Sequence, residues 1–463
     1  MGNHMTLILF MILLTGTFIC FIMFVFKVLR GNSKAVFNYE DEFNEVIKIE
    51  KPKKINNSGG QTLIGYSSGN KVYTEDNAKH IFCCGTTGSG KTVAIANYIV
   101  QACKNNYPMV IIDGKGDTNN GSLLQIVNDF SKKYNRKLYV INLSDSLKSD
   151  KYNPFQDTNP TVCKDMLINM TAWSEEHYKL NTERYLLRLF QLLIKSNIML
   201  TFENIIKNID TLNFLELSKN LQENQIITKE EHLSNITLSK ASGEIAEEAT
   251  ARFSILFESE LGVIFEGNGI DIYTALKENA IILFVLNPLL YPETSNLMGK
   301  LLLIDCKKAV SKLFNSEVRK FFIFDEISTY ASTSLTDLVN KSRSANITCI
   351  LATQSLSDLD YAVNENYKEQ IIENCNNYIL LRQNSGKNAE NWANIIGTKK
   401  SADVTYQVGD EKGTTAPTGR GTIKFNKEYI FHPDEIKSLK TGEAFYISKD
   451  KNTKLKININ KPF

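Results

Sequence analysis

Residues 80–104 run from a short apolar stretch, His80-Ile81-Phe82-Cys83-Cys84, through Gly85-Thr86-Thr87-Gly88-Ser89-Gly90-Lys91-Thr92 and on along KTVAIANYIVQACK, a segment of helical composition and spacing. The middle fits G-x-x-x-x-G-K-[ST], and it stands where a phosphate-binding loop must stand, after a buried strand and at the opening of a helix. Glycines let the backbone curl until its N–H groups and the helix N-terminus point at phosphate oxygens. Lys91 then reaches the β and γ phosphates of a nucleotide, and Thr92 offers a hydroxyl to Mg²⁺. By average composition such a string arises by chance in about one or two chains in a hundred of this length, before flanking elements are required.

The surrounding pattern agrees with that loop. Apolar runs of strand length, in PMVIIDGKGD, KLYVINLSD, NAIILFVLNP, RKFFIFDEIS, ITCILATQS and NNYILLRQN, alternate with helical stretches. Such alternation predicts an α/β fold with a mostly parallel central sheet. Ahead of it, TLIGYSSGNKVYTEDN reads as a hairpin. The pattern breaks after Asn153. Between Thr161 and Gly262, long 3.6-periodic stretches such as ERYLLRLFQLLIKSNIML and EIAEEATARFSILFESEL leave hardly a strand-like run, which predicts an inserted all-helical domain. The expected organisation is a nucleotide-binding domain in two parts, 61–160 and 263–463, around a helical domain at 161–262. KEYIF and EAFYISKD read as late strands, and the Gly- and Thr-rich span from Ser401 to Gly421 as a mobile loop.

Phe321-Phe322-Ile323-Phe324-Asp325-Glu326 is an apolar run ending in two carboxylates, as on a central parallel strand whose C-terminal end opens onto a site. There Asp325 would hold Mg²⁺ and Glu326 would polarise an attacking water, because hydrolysis needs a metal-stabilised triphosphate and an in-line nucleophile. A helix-capping carboxylate is the alternative when the run stands alone. Ile347 to Gln354 is a further apolar strand, ending in an amide able to touch the γ-phosphate or its water, the sensor arrangement of RecA-like motors; a Gln capping the next helix is the alternative.

With Lys+Arg 53 against Asp+Glu 51, the formal charge is +2, so no chain-wide basic field draws in nucleic acid and any polyanion must meet a local site. Eight scattered cysteines without a CxxC pair argue against both zinc and a disulfide framework, and fit a reducing cytoplasm. From Thr6 to Phe26 there are 21 residues without a charge, about 31 Å of helix against a hydrocarbon core of about 30 Å. Lys27, Arg30 and Lys34 follow, placing the C-terminal side in the cytoplasm. Residues 1–34 are therefore expected to form a single-pass anchor, with a cleaved signal peptide as the alternative, and residues 35–60 a polar linker.

Taken together, GTTGSGKT, VIIDGKGD, Tyr152-Asn153-Pro154-Phe155, FIFDEIS and SRSANITCILATQS resemble, in order and spacing, the type IV coupling proteins of conjugation and type IV secretion. The resemblance spans about residues 60 to 450. It implies a RecA-like P-loop NTPase acting as a homo-hexamer, which uses ATP and Mg²⁺ to drive a relaxase-bound DNA strand into the secretion channel at the inner membrane. By motif match Lys91 and Thr92 take the phosphate-loop roles, Asp325 and Glu326 the metal and water roles, and Gln354 the sensor role. Arg343 matches the position of an arginine finger reaching a neighbouring subunit; an ordinary solvated Arg is the alternative. Arg382, at the end of NNYILLR, is a second finger candidate, with a salt-bridged strand-end Arg as the alternative. Asp113, Lys115 and Asp117 match an acidic-Lys-Gly turn near the nucleotide, which a plain strand-to-helix turn also explains. Relatives commonly carry two membrane helices and a charged C-terminal tail, so partner recognition is expected elsewhere, in the helical domain. The DNA contact is expected in loops facing a central pore, the segment Lys399–Lys427 with six Lys/Arg against three acids being one candidate and a solvated loop the other reading. An ATP-gated docking receptor for secreted protein and a chromosomal double-strand translocase remain the alternative functions.

Overall fold

The computed structural model describes residues 60–463 apart from 78, 172, 174, 412 and 413, with the backbone alone at 404 and 406–421. The expected anchor at 6–26, and the linker up to residue 59, lie outside the described residues. Among the described residues no helix is long and apolar enough to cross a membrane.

The first described elements are the expected hairpin, β1 (Gln61–Ser67) and β2 (Asn70–Glu75), followed by β3 (His80–Cys84) and the helix Lys91–Lys104. Then come β4 (Met109–Asp113), the helix Leu123–Lys133 and β5 (Leu138–Asn142). After the helical segment the chain returns through β6 (Ile281–Val285), the helix Pro292–Lys312, β7 (Lys320–Asp325), β8 (Ile347–Thr353) and β9 (Cys375–Leu380). A separate two-stranded ribbon, β10 (Thr398–Glu411) with β11 (Thr414–Tyr429), precedes β12 (Glu443–Ser448) and β13 (Thr453–Ile459).

Eleven strands form one sheet in the order β2-β1-β13-β12-β9-β3-β8-β7-β4-β6-β5. From β9 to β5 every neighbouring pair is parallel, and β12, β13, β1 and β2 continue the sheet antiparallel. The central strands are buried on both faces, which is why they read as unbroken apolar runs rather than as alternating ones. Successive residues serve two cores. Phe82, Val110, Ile112, Phe322 and Phe324 belong to the apolar cluster that also includes the helical segment, while Ile81, Met109, Ile111, Phe321 and Ile323 belong to the one that includes the helices Lys91–Lys104 and Leu123–Lys133.

Between β5 and β6 the chain is helical, with helices Pro160–Met170, Glu176–Lys195, Phe202–Ile209, Thr211–Glu223, Lys229–Lys240 and Gly243–Phe257. Their starts are written in local chemistry. Asn159 caps ahead of Pro160, Thr201 caps Phe202–Ile209, Asp210 caps Thr211–Glu223, and Thr228 with Glu231 forms a capping box at Lys229–Lys240. This segment does not have a core of its own. Phe155, just after β5, stacks edge-on against Phe202 with ring centres 4.6 Å apart, and Tyr152 meets Phe284 of β6 at 5.1 Å, so one continuous apolar cluster runs from the helices onto the sheet.

One expectation is corrected here. The span Ser401–Gly421 is not a loop: β10 and β11 pair antiparallel from Thr398↔Tyr429 to Glu411↔Thr414, with one register shift between Tyr406 and Val408. Gly409, Gly419 and Gly421 suggested a loop, but Thr, Val and Tyr between them favour extended backbone, and each strand supplies the other's hydrogen bonds.

Candidate nucleotide site

All parallel strands deliver their C-terminal ends to one edge of the sheet, and the chemistry collects there. β3 ends at Cys84 and the loop Gly85–Gly90 turns back over it. Gly88 (φ 75) and Gly90 (φ 110) adopt left-handed backbone, which glycine alone takes without strain. A Cβ on Gly85 would stand 2.6 Å from both Leu381 Cβ and Ser89 Oγ, so the loop closes only around hydrogen at that position. Ser89 is buried and its hydroxyl donates to the Thr86 carbonyl at 2.6 Å. Thr86 in turn donates its N–H to the Arg382 carbonyl at 3.0 Å. From the far end of the chain, Gly442 donates its N–H to the Ser89 carbonyl at 2.9 Å and Thr441 its hydroxyl to the Gly88 carbonyl at 3.1 Å. The loop is braced before any ligand arrives.

Lys91 opens the helix and points at the carboxylate strand. Its Nζ donates to Glu326 Oε2 at 3.0 Å and lies 3.9 Å from Asp325 Oδ1. Burial pulls the Lys91 ammonium towards the neutral form, but the two carboxylates outweigh it and hold its pKa above the ordinary lysine value. Gln354, immediately after β8, donates Nε2 to the same Glu326 Oε2 at 3.2 Å and accepts from Thr87 Oγ1 at 3.3 Å. Ser328 donates to Glu326 Oε1 at 3.3 Å. Glu326 itself sits at φ 50, ψ 55, a left-handed conformation uncommon outside glycine.

Asp325 is buried, and burial raises its pKa while Lys91 opposes the shift. Asp113 ends β4 in register with Asp325 and is buried too; burial and the neighbouring Asp325 push it up to about 7. Thr92, in the first turn of the helix Lys91–Lys104, and Asp325 carry hard oxygen donors of the kind that suits Mg²⁺.

The structure thus brings Thr87, Lys91, Asp325, Glu326, Gln354 and Asp113 to one edge. Arg343 is elsewhere. It is exposed in the turn before β8, at the N-terminal end of a strand whose C-terminal end carries Gln354, so within its own chain it lies across the sheet from the site. Arg382 lies beside its own phosphate loop, with a buried Nε that lacks a hydrogen-bond partner. Ser328, Thr441 and Gly442 were not legible as contributors: a Ser two residues past the carboxylates is a weak signal, and the Thr-Gly pair reaches the loop from about 350 residues away.

A strand–phosphate loop–helix, a carboxylate strand two places along and a sensor amide on the strand between them define a RecA-like P-loop nucleotide-binding protein. A profile described as "Type IV secretory system Conjugative DNA transfer" matches residues 33–263, and one described as "TraM recognition site of TraD and TraG" matches residues 319–441. The chain belongs to the type IV coupling proteins, which serve conjugative DNA transfer by type IV secretion. Among solved structures it is similar to the bacterial conjugative coupling protein TrwBdeltaN70 (14% identity, 88% of this chain and 90% of that one, TM-score 0.63). It is similar also to TrwB in complex with ADP and Mg²⁺ (14%, 86% and 89%, TM-score 0.60) and to VirB4 of Thermoanaerobacter pseudethanolicus (12%, 87% and 97%, TM-score 0.56). An uncharacterized protein of Mycoplasma pneumoniae is 33% identical over 148 residues, 32% of this chain and 79% of that protein.

Proposed function

We propose that this coupling protein is an ATP-hydrolysing motor, anchored in the inner membrane by residues 6–26, which as a homo-hexamer takes a relaxase-bound single DNA strand and drives it into the secretion channel. The observation that carries the ATPase reading is the shared Glu326 oxygen, which receives both Lys91 at 3.0 Å and Gln354 at 3.2 Å. A residue that only gates binding needs no base held by a phosphate lysine and a sensor amide. The nucleotide-binding domain would comprise 61–160 and 263–463, with residues 161–262 as the helical partner-facing part.

When triphosphate enters, its oxygens compete with Glu326 for Lys91, and Lys91 moves to the β and γ phosphates. Glu326 is then released to accept a proton from the attacking water, which Gln354 orients. Mg²⁺, held by Thr92 and Asp325, would neutralise charge on the β and γ oxygens. Arg343 is proposed to act on a neighbouring subunit's nucleotide, which its exposure and its distance from the site of its own chain both support.

The test is ATP hydrolysis by the full chain in membrane mimetic, with and without single- and double-stranded DNA. Single strands are expected to raise the rate several-fold, with no activity in Lys91→Ala. Mixing Lys91→Ala with Arg343→Ala subunits is expected to restore a fraction of the wild-type rate, because each supplies what the other lacks. A rate indifferent to DNA would favour the docking receptor, and preference for double strands the chromosomal translocase.

A further inference from the structure

The turn after β4 is built more tightly than a strand-to-helix connection requires. Asp113 Oδ1 accepts the N–H groups of Lys115 and Gly116, both at 3.0 Å. Gly114 donates its N–H to the Asp325 carbonyl at 3.1 Å, and Thr329 Oγ1 donates to the Gly114 carbonyl at 3.2 Å. A Cβ on Gly114 would stand 2.7 Å from the Asp325 carbonyl oxygen and 2.8 Å from that of Glu326. On Gly116, at φ +68, it would stand 1.5 Å from the Leu286 carbonyl oxygen. The turn is therefore pressed between the carboxylate strand and the end of β6, and the residue it carries outward is Lys115.

That side chain is half-exposed on the nucleotide edge and is ion-paired with Asp117. Its position along the sheet matters. In the order β3-β8-β7-β4, the phosphate loop and this turn flank the carboxylate strand β7 from its two sides. The charge balance matters as well. Asp113, Asp325 and Glu326 crowd this edge against one part-buried ammonium, Lys91, and a triphosphate brings more negative charge than a diphosphate.

We propose that Lys115 is a second phosphate-contacting lysine, which leaves Asp117 for the γ-phosphoryl oxygens and so makes the Asp113–Asp117 turn discriminate triphosphate from diphosphate. The inference rests on the nucleotide reading of the site and adds a residue to it. Gln354 and Lys91 touch the phosphate chain from β8 and β3; Lys115 closes it from β4.

The test is equilibrium binding of a fluorescent ADP and of a fluorescent non-hydrolysable ATP analogue, each with Mg²⁺, to the full chain. Lys115→Ala is expected to weaken the triphosphate about tenfold, the size of a lost charge-assisted hydrogen bond, and to leave ADP within about twofold. Lys115→Arg should restore most of the loss, and Asp117→Asn should tighten the triphosphate a few-fold by freeing the lysine. Equal effects of Lys115→Ala on both nucleotides, or none, would overturn the proposal. If wild type bound neither nucleotide, or if Lys91→Ala left binding intact, the nucleotide reading itself would fail, and the proposal with it.

Discussion

Glu326→Gln is expected to lower ATP hydrolysis by about 10²–10⁴-fold, the usual contribution of a general base, while nucleotide binding survives. The substitution keeps size and an accepting oxygen but removes the charge. That charge holds Lys91 at 3.0 Å and competes with phosphate for it. Without the charge Lys91 keeps only the more distant Asp325, at 3.9 Å, and affinity for the triphosphate should match or exceed that of wild type. Asp325→Asn makes the contrast: its loss falls on the metal-dependent part of binding, since Asp325 is the buried carboxylate at the end of β7. Single-turnover hydrolysis beside fluorescent-nucleotide titration separates the two. Hydrolysis by Glu326→Gln within about threefold of wild type would remove Glu326 from the base role, because a positioned base contributes far more than that.

The parts of this site that were legible in the sequence are those whose constraint is local. The loop Gly85–Thr92 announces itself because phosphate binding needs glycines, a lysine and a helix start within eight residues. The strand Phe321–Asp325 announces itself because a doubly covered parallel strand must be apolar until it ends. Glycine-rich composition misled at residues 401–421, where pairing between two strands decides the conformation and neither strand shows it alone. Gly114 and Gly116 sit in a string that also describes an ordinary turn; only the carbonyls of Asp325 and Leu286, brought alongside by β7 and β6, show why no Cβ fits. Arg343 was placed by motif, and its distance from the site of its own chain is a property of the direction of β8. The sequence between β5 and β6 showed helices but not their dependence on the sheet, which runs through Tyr152 and Phe155, at the junction rather than within the helices.

That dependence has a polar centre, and Lys308→Ala is expected to destabilise the fold by about 3–5 kcal/mol, the range for breaking a buried ion pair from one side. Lys308, on the helix Pro292–Lys312, places Nζ 2.9 Å from Asp271 Oδ2, 2.9 Å from Asp305 Oδ1 and 2.7 Å from the Pro154 carbonyl. Asp305 Oδ2 also accepts from the Tyr152 hydroxyl at 2.8 Å and from the Ile272 N–H at 3.2 Å. Asp271 and Asp305 are fully buried and Lys308 nearly so. Burial disfavours the Lys308 ammonium, yet Asp305 and Asp271 more than offset it and hold its pKa above the usual lysine value. Removing the lysine leaves two carboxylates in an apolar cluster with no cation, and leaves the Pro154 carbonyl without its donor. Because the pair spans the junction between the helical segment and the sheet, the loss should fall first on that junction: proteolysis near Tyr152–Phe155 should accelerate before global unfolding. Urea denaturation measures the total. Adding Asp271→Asn to Lys308→Met should recover part of the loss, since it removes one of the stranded charges together with their partner. A cost below about 1 kcal/mol for Lys308→Ala would mean that water enters the cluster and solvates the carboxylates, and the junction would then be held by its aromatic contacts alone.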